Sequence, residues 1–162
     1  MTAGDLDRVL AINEASVPDV ESLTNSEIAE LFADSAFALV AGHSDDDVVG
    51  FGFAVGPGVL SNVKRTSWAT VRDDVDLHLE RIAFAPGASG FGLGVEFYDR
   101  LDSLVAERAA ASGAPIRFSS FVTVEPLLEH SFNFHRARGF VEIDQLRLDS
   151  TTVALVQKTY DP

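Results

Sequence analysis

Apolar positions recur along this chain in two periods, near 3.6 and near 2, and the switches between them mark its elements. Leu6, Val9, Leu10 and the polar Asn13 share one face of a helix that Asp5 is placed to cap, with Pro18 near its end. Thr24 and Glu27 have capping-box spacing ahead of Ile28, Leu31 and Phe32, which predicts a second short helix. Two apolar runs, 36–41 and 48–55, flank the polar stretch His43-Ser44-Asp45-Asp46-Asp47 and read as an antiparallel hairpin. After Gly56-Pro57-Gly58 the pattern lapses. Residues 59–74 are weakly periodic and read as a long loop, a kind of segment that is usually functional or mobile. That stretch holds the only tryptophan, Trp68, and the basic residues Lys64, Arg65 and Arg72.

Period two returns over 76–85. Asp76, His78, Glu80, Ile82 and Phe84 face one side of that strand, and Leu77, Leu79, Arg81 and Ala83 the other. Pro86 ends it. A glycine-rich turn, 87–94, leads into a long helix with Leu93, Phe97, Leu101, Leu104 and Val105 on one face and Glu96 and Arg100 paired at i,i+4. Gly113 and Pro115 stop that helix. A strand over 116–124 follows, then a short helix over 129–138 ended by Gly139. Strands over 140–148 and 152–159 close the chain around Asp149-Ser150. The order predicts a mixed α/β (α+β) fold with one crossover unit between antiparallel hairpins. A doubly wound parallel sheet would alternate strand and helix throughout.

Composition narrows the chemistry. The chain has 162 residues, enough for one domain spanning 1–162 with a core that needs no metal or disulfide. It has no cysteine, which excludes thiol nucleophiles and thiolate metal sites. Its formal net charge of -13 argues against nucleic acid as a partner. No apolar run is long enough to span a bilayer, and the first ten residues lack a signal pattern, so the expectation is no membrane and a cytoplasmic location. Neither H-x-H nor H-E-x-x-H occurs, so no metal site is expected; Asp45-Asp46-Asp47 reads as a solvated turn. His43 and His130 read as surface residues.

The glycine-rich turn carries the chemistry. Glycines let a backbone approach a ligand closely, and the free N–H groups of a helix start favour an anion such as a pyrophosphate. The plain alternative is a tight turn into a packed helix. The spacing is not that of a dinucleotide fingerprint, and no Gly-Lys-Ser/Thr of a P-loop is present. Ser89 is a near miss for a nucleophile elbow, because Phe91 stands where G-x-S-x-G needs its last glycine.

The stretch from Glu80 to Leu101 resembles the acetyl-CoA-binding motif of the GCN5-related N-acetyltransferase (GNAT) superfamily, Gln/Arg-x-x-Gly-x-Gly/Ala after a strand. Ser89-Gly90-Phe91-Gly92-Leu93-Gly94 fits it at Gly92 and Gly94 and departs from it at Ser89. Phe134-His135-Arg136-Ala137-Arg138-Gly139-Phe140 is similar to the aromatic-x-x-x-Gly-Phe feature near the family's C-terminus, with His135 in the slot of a tyrosine. Residues 59–81 and 132–140 also resemble an uncharacterised bacterial branch of the superfamily. The element order agrees, without a first strand before the first helix.

The resemblance implies a mixed, mostly antiparallel sheet splayed open between the family's fourth and fifth strands, with helices on both faces. It implies acetyl-CoA as cosubstrate, its pantetheine on the backbone of Ile82, Ala83 and Phe84 and its pyrophosphate on N–H groups from Ser89 to Gly94. Arg136 and Arg138 are candidates for further phosphate contact; alternatively they are cations at a helix C-terminus. The implied reaction is acetyl transfer to a primary amine of a small molecule or protein.

Amine attack on a thioester needs a base within reach of the nitrogen. Glu80 is the first candidate, in a partly apolar setting that makes a carboxylate more basic. His78 on the same face is the second. The structural alternatives are an ion pair with a neighbouring arginine for Glu80 and a hydrogen-bonded strand histidine for His78. His135, as an imidazolium, could protonate the leaving thiolate. A non-catalytic acyl-CoA-binding module on the same fold is the competing function, and a hydrolase using Ser89 is a third. The first two helices, residues 59–74 and the last hairpin would shape the acceptor side. That hairpin also offers an edge for pairing across a homodimer.

Overall fold

The computed structural model describes the chain except residues 43–46, 60–63, 89–91 and 150 and the side chains of 64 and 65. A 3-10 turn, Ala3–Asp5, is followed by α1 Leu6–Ala15, α2 Asn25–Asp34, β1 Ser35–Gly42, β2 Val48–Val55, α3 Lys64–Thr70, β3 Leu77–Phe84, α4 Leu93–Ser112, β4 Ile116–Glu125, α5 Glu129–Ala137, β5 Val141–Leu148 and β6 Thr151–Tyr160. The strands run in the order β1-β2-β3-β4-β6-β5. The chain divides into two units, Met1–Val55 with Arg81–Leu104 and Gly56–Glu80 with Val105–Pro162.

In the first unit β1 and β2 pair antiparallel. Ala85 N–H donates to Val49 O at 2.7 Å, and the Gly52 Cα faces Arg81 O, so β2 and β3 are antiparallel too. Alternation along β2 sorts its two faces. Phe51 and Phe53 pack with Val9, Ile12 and Ile28 of α1 and α2 and with Ala83. Gly50 and Gly52 face the other way, toward the rings of Phe84 and Phe97. A Cβ at Gly52 would lie 2.6 Å from Phe97 Cζ, so the missing side chain is what lets α4 sit close. The Thr24–Glu27 capping box forms as the spacing predicts. Asp5 does not cap α1. Its backbone is helical, and its carboxylate instead accepts from the hydroxyl of Thr2 at 3.0 Å.

In the second unit β4 pairs antiparallel with β6, and β6 with β5. The β3–β4 pairing is parallel and comprises three pairs, from Leu77↔Phe118 to Leu79↔Ser120. A parallel connection needs a crossover, here the chain through α4. Leu155 packs with Ala69 and Val75, joined by Trp68, Phe121 and Ile143. Val156 faces the opposite side, where it lines a cavity with Phe132, Arg136 and Phe140. Helices therefore cover both faces of the sheet in each unit. Residues 59–74 are not the long loop that their weak periodicity predicts: α3 occupies Lys64–Thr70, held by the burial of Ala69 and by Trp68 against Phe121. Gly139 ends α5 at φ 86°, a value that favours glycine.

Candidate functional site

His78 and Glu80 lie on one face of β3, as period two requires, and both are buried, at 0% and 7% exposure. His78 lies within the three-pair ladder to β4, paired with Ser119, and Glu80 lies just past its last pair. The Ser119 hydroxyl donates to Leu77 O at 3.3 Å, and His78 Nδ1 lies 2.9 Å from the same hydroxyl oxygen. With that hydroxyl proton on the carbonyl, Nδ1 carries a proton and the basic lone pair of the neutral ring is on Nε2. The imidazole meets Phe121 edge-on, centroids 4.9 Å apart. Trp68 backs Phe121 at 6.0 Å.

His135 occupies a different setting. It is buried on α5 and packs edge-on against Phe134 and Phe140. Its Nδ1 lies 2.8 Å from Ser131 O. Burial pushes its pKa below the usual value, opposed by the Ser131 carbonyl and reinforced by the positive charge of Arg138. These surroundings keep the ring neutral, which works against the imidazolium role that its position suggests. Arg136, expected near phosphate, lines a cavity of about 260 Å³ with Phe132, Phe140, Val141, Glu142 and Val156. Arg138 lies over the Phe134 ring at 5.5 Å.

The expected cofactor residues fall in the other unit. Ala83 is in its core, and Phe84 meets Phe97 edge-on at 6.1 Å. Ile82 is half-buried. Gly92 has φ 77° and its carbonyl accepts from Val95 and Glu96, which starts α4. The N–H groups of Leu93 and Gly94 therefore belong to the first turn, whose donors have no partner within the helix. Among the described residues, a Cβ at Gly94 would meet nothing within 4 Å, which leaves room over this turn. Donor set and space both fit an anionic group. Ser89, Gly90 and Phe91 lie outside the described residues.

Sequence reasoning missed Arg81. Its side chain is 1% exposed, and its guanidinium donates to Asn13 Oδ1 at 2.9 Å and to Glu21 O at 2.6 Å. Asn13 in turn donates to Glu14 Oε1 and Glu21 O, and Glu14 accepts from Ser22 and from Leu23 N–H. The arginine thus pins the α1–α2 connection to β3. Only the polar Asn13 on an otherwise apolar helix face hinted at this network.

No family model matches the chain, and no curated protein matches its sequence. Solved structures do. The ribosomal-protein-S18-alanine N-acetyltransferase from Escherichia coli superposes with a TM-score of 0.74 at 13% identity, over 100% of this chain and 92% of that one. The chain has the GNAT fold. An aminoglycoside 6'-N-acetyltransferase complexed with coenzyme A superposes at 0.69 and 13% identity, covering 99% of this chain and 93% of that chain. GphF, a GNAT-like decarboxylase in complex with isobutyryl-CoA, gives 0.69 and 14% identity, covering 97% and 95%. The same GNAT fold is thus shared by enzymes of different reaction, and the residues must carry the rest. No described helix is long and apolar enough to cross a membrane. Among the described residues no cluster of His, Asp and Glu could hold a metal ion.

Proposed function

We propose that the chain is an acetyl-CoA-dependent N-acetyltransferase, working as one domain, that acetylates a primary amine of a small molecule or peptide. The observation that carries this reading is the pair of buried bases, Glu80 and His78, on one face of β3, His78 within its short ladder to β4 and Glu80 just past it. The two solved structures bound to CoA species support the cosubstrate. Leu93 and Gly94 N–H groups would hold the pyrophosphate, and the backbone of Ile82, Ala83 and Phe84 would pair with pantetheine. The cosubstrate supplies an activated acyl group.

Glu80 is the general base of this proposal. The amine nitrogen forms a bond to the acyl carbon, the carbon–sulfur bond breaks, and the ammonium proton passes to the Glu80 carboxylate directly or through water. His78 Nε2 is the alternative acceptor of that proton. His135, neutral and with Nδ1 committed to Ser131, positions neighbours rather than donating a proton. A thiolate is a fair leaving group unaided.

Thermal melts with acetyl-CoA test the cofactor. Saturation a hundredfold above Kd stabilises the native state by about 2.7 kcal/mol. A melting temperature that does not move at millimolar acetyl-CoA contradicts the reading. Binding without thiol release across a broad amine panel would favour the non-catalytic module.

A further inference from the structure

The cavity between α5 and the β5–β6 hairpin lies wholly in the second unit and measures about 260 Å³. Sites for drug-sized molecules begin at roughly 300 Å³, so this one suits a small metabolite and not a coenzyme. Its floor is apolar and fixed. Val156 and Phe140 are buried, and Phe140 meets Phe118 edge-on at 6.0 Å and His135 at 5.4 Å. Phe132 and Arg136, one turn apart on α5, form one wall, and Val141 and Glu142 of β5 form the other. Val141 is 62% exposed although it borders that floor.

The cavity carries two charges of opposite sign that do not pair with each other. The Arg136 guanidinium makes no hydrogen bond or ion pair among the described residues. The dipole of α5 favours a cation in the last turn, where Arg136 stands, but does not require that cation to line an apolar cavity. Glu142 Oε1 accepts from Gln145 Nε2 at 2.8 Å, which orients the carboxylate and leaves Oε2 open to a ligand. Glu142 pairs with Val156 across the β5–β6 ladder, so both side chains lie on the face that the cavity occupies. A plain carboxylate would satisfy Arg136 but meet Glu142 as a like charge, and a plain amine the reverse. A zwitterion with an apolar side chain satisfies both charges and the floor.

We propose that this cavity binds a free α-amino acid with an apolar side chain. The ligand carboxylate accepts from the Arg136 guanidinium, its ammonium donates to Glu142, and its side chain lies on Val156 between Phe132 and Phe140 and covers Val141. Val156 and Leu155 point to opposite faces of β6, and Leu155 shares its face with Phe121 and, through Phe121, with His78. The site is therefore on the far side of the sheet from His78, is separate from the proposed acceptor site, and does not depend on the proposed reaction.

L-Leucine and L-phenylalanine are titrated calorimetrically into the full chain, beside isocaproate, isoamylamine and glycine, which lack in turn the ammonium, the carboxylate and the apolar side chain of leucine. The methyl signals of Val141, assigned by their loss in Val141→Thr, are followed by NMR in the same titrations. At least one of the two amino acids is expected to bind saturably at millimolar concentration with Val141 shifting in step. Each analogue is expected to bind roughly tenfold more weakly or worse. Arg136→Gln and Glu142→Gln, both at exposed positions, are expected to weaken amino-acid binding by about the same factor. No saturable binding of either amino acid, isocaproate binding as tightly as L-leucine, wild-type affinity in either variant, or binding that leaves Val141 unmoved overturns the proposal. Acetyl transfer, whether observed or not, bears on none of these results.

Discussion

The Nδ1 proton of His135 is donated to the backbone carbonyl of Ser131, one turn earlier on α5, at 2.8 Å. A carbonyl oxygen can only accept, so the tautomer of the neutral ring is set. Burial lowers the pKa of this ring from its reference value of 6.5. Above pH 6.5 native and unfolded chains are both neutral here, and the group adds no pH dependence. Below it the unfolded chain binds the proton first, so stability falls as pH drops from 6.5 toward the lowered native value. The slope in that window is at most about 1.4 kcal/mol per pH unit. His135→Phe is expected to flatten the denaturation free energy between pH 7 and pH 5 relative to wild type. Parallel profiles would show that the histidine is not buried neutral.

Arg81 should matter more than a surface arginine. Arg81→Met takes from Asn13 Oδ1 its arginine donor and leaves Glu21 O with the Asn13 amide in place of two donors. The expected cost is roughly 3 kcal/mol in urea denaturation. Asn13→Ala should cost less than the sum when combined with it, because both belong to one network. Additive effects would contradict the network.

Gly52 is required by packing. A Cβ there would approach Phe97 Cζ to 2.6 Å and Arg81 O to 3.2 Å. Gly52→Ala is expected to destabilise by about 1–3 kcal/mol, as overpacking does. Pairing it with Phe97→Leu should recover part of the loss. A thermally silent Gly52→Ala would mean that α4 does not pack closely on β2.

Much of the architecture was legible because its signals are local. The Thr24–Glu27 box and Gly139 act within one turn, and both mark the ends that the structure has. Alternation along β3 put His78 and Glu80 on one face before any coordinates. α3 was not legible, since Lys64–Thr70 carries no helical apolar period and is held by Trp68 and Ala69 against distant strands. Arg81 was hidden for the same reason: its partners Asn13 and Glu21 are 68 and 60 residues away in sequence. Asp5 misled because a carboxylate before an apolar period looks like a cap, whereas here it reaches back to Thr2. The departures at Ser89 and His135 were visible as residues, but what surrounds His135 was not.

The central claim is that Glu80 takes the amine proton, and turnover by Glu80→Gln addresses it most directly. Release of free CoA thiol is measured from acetyl-CoA with a panel of primary amines, wild type beside Glu80→Gln, with cofactor-induced thermal shifts recorded for both. Wild type is expected to release thiol with at least one amine, and the variant to lose roughly 10²- to 10⁴-fold in kcat while its thermal shift is unchanged. Equal turnover by the two proteins, or none from wild type with any amine, would contradict the account.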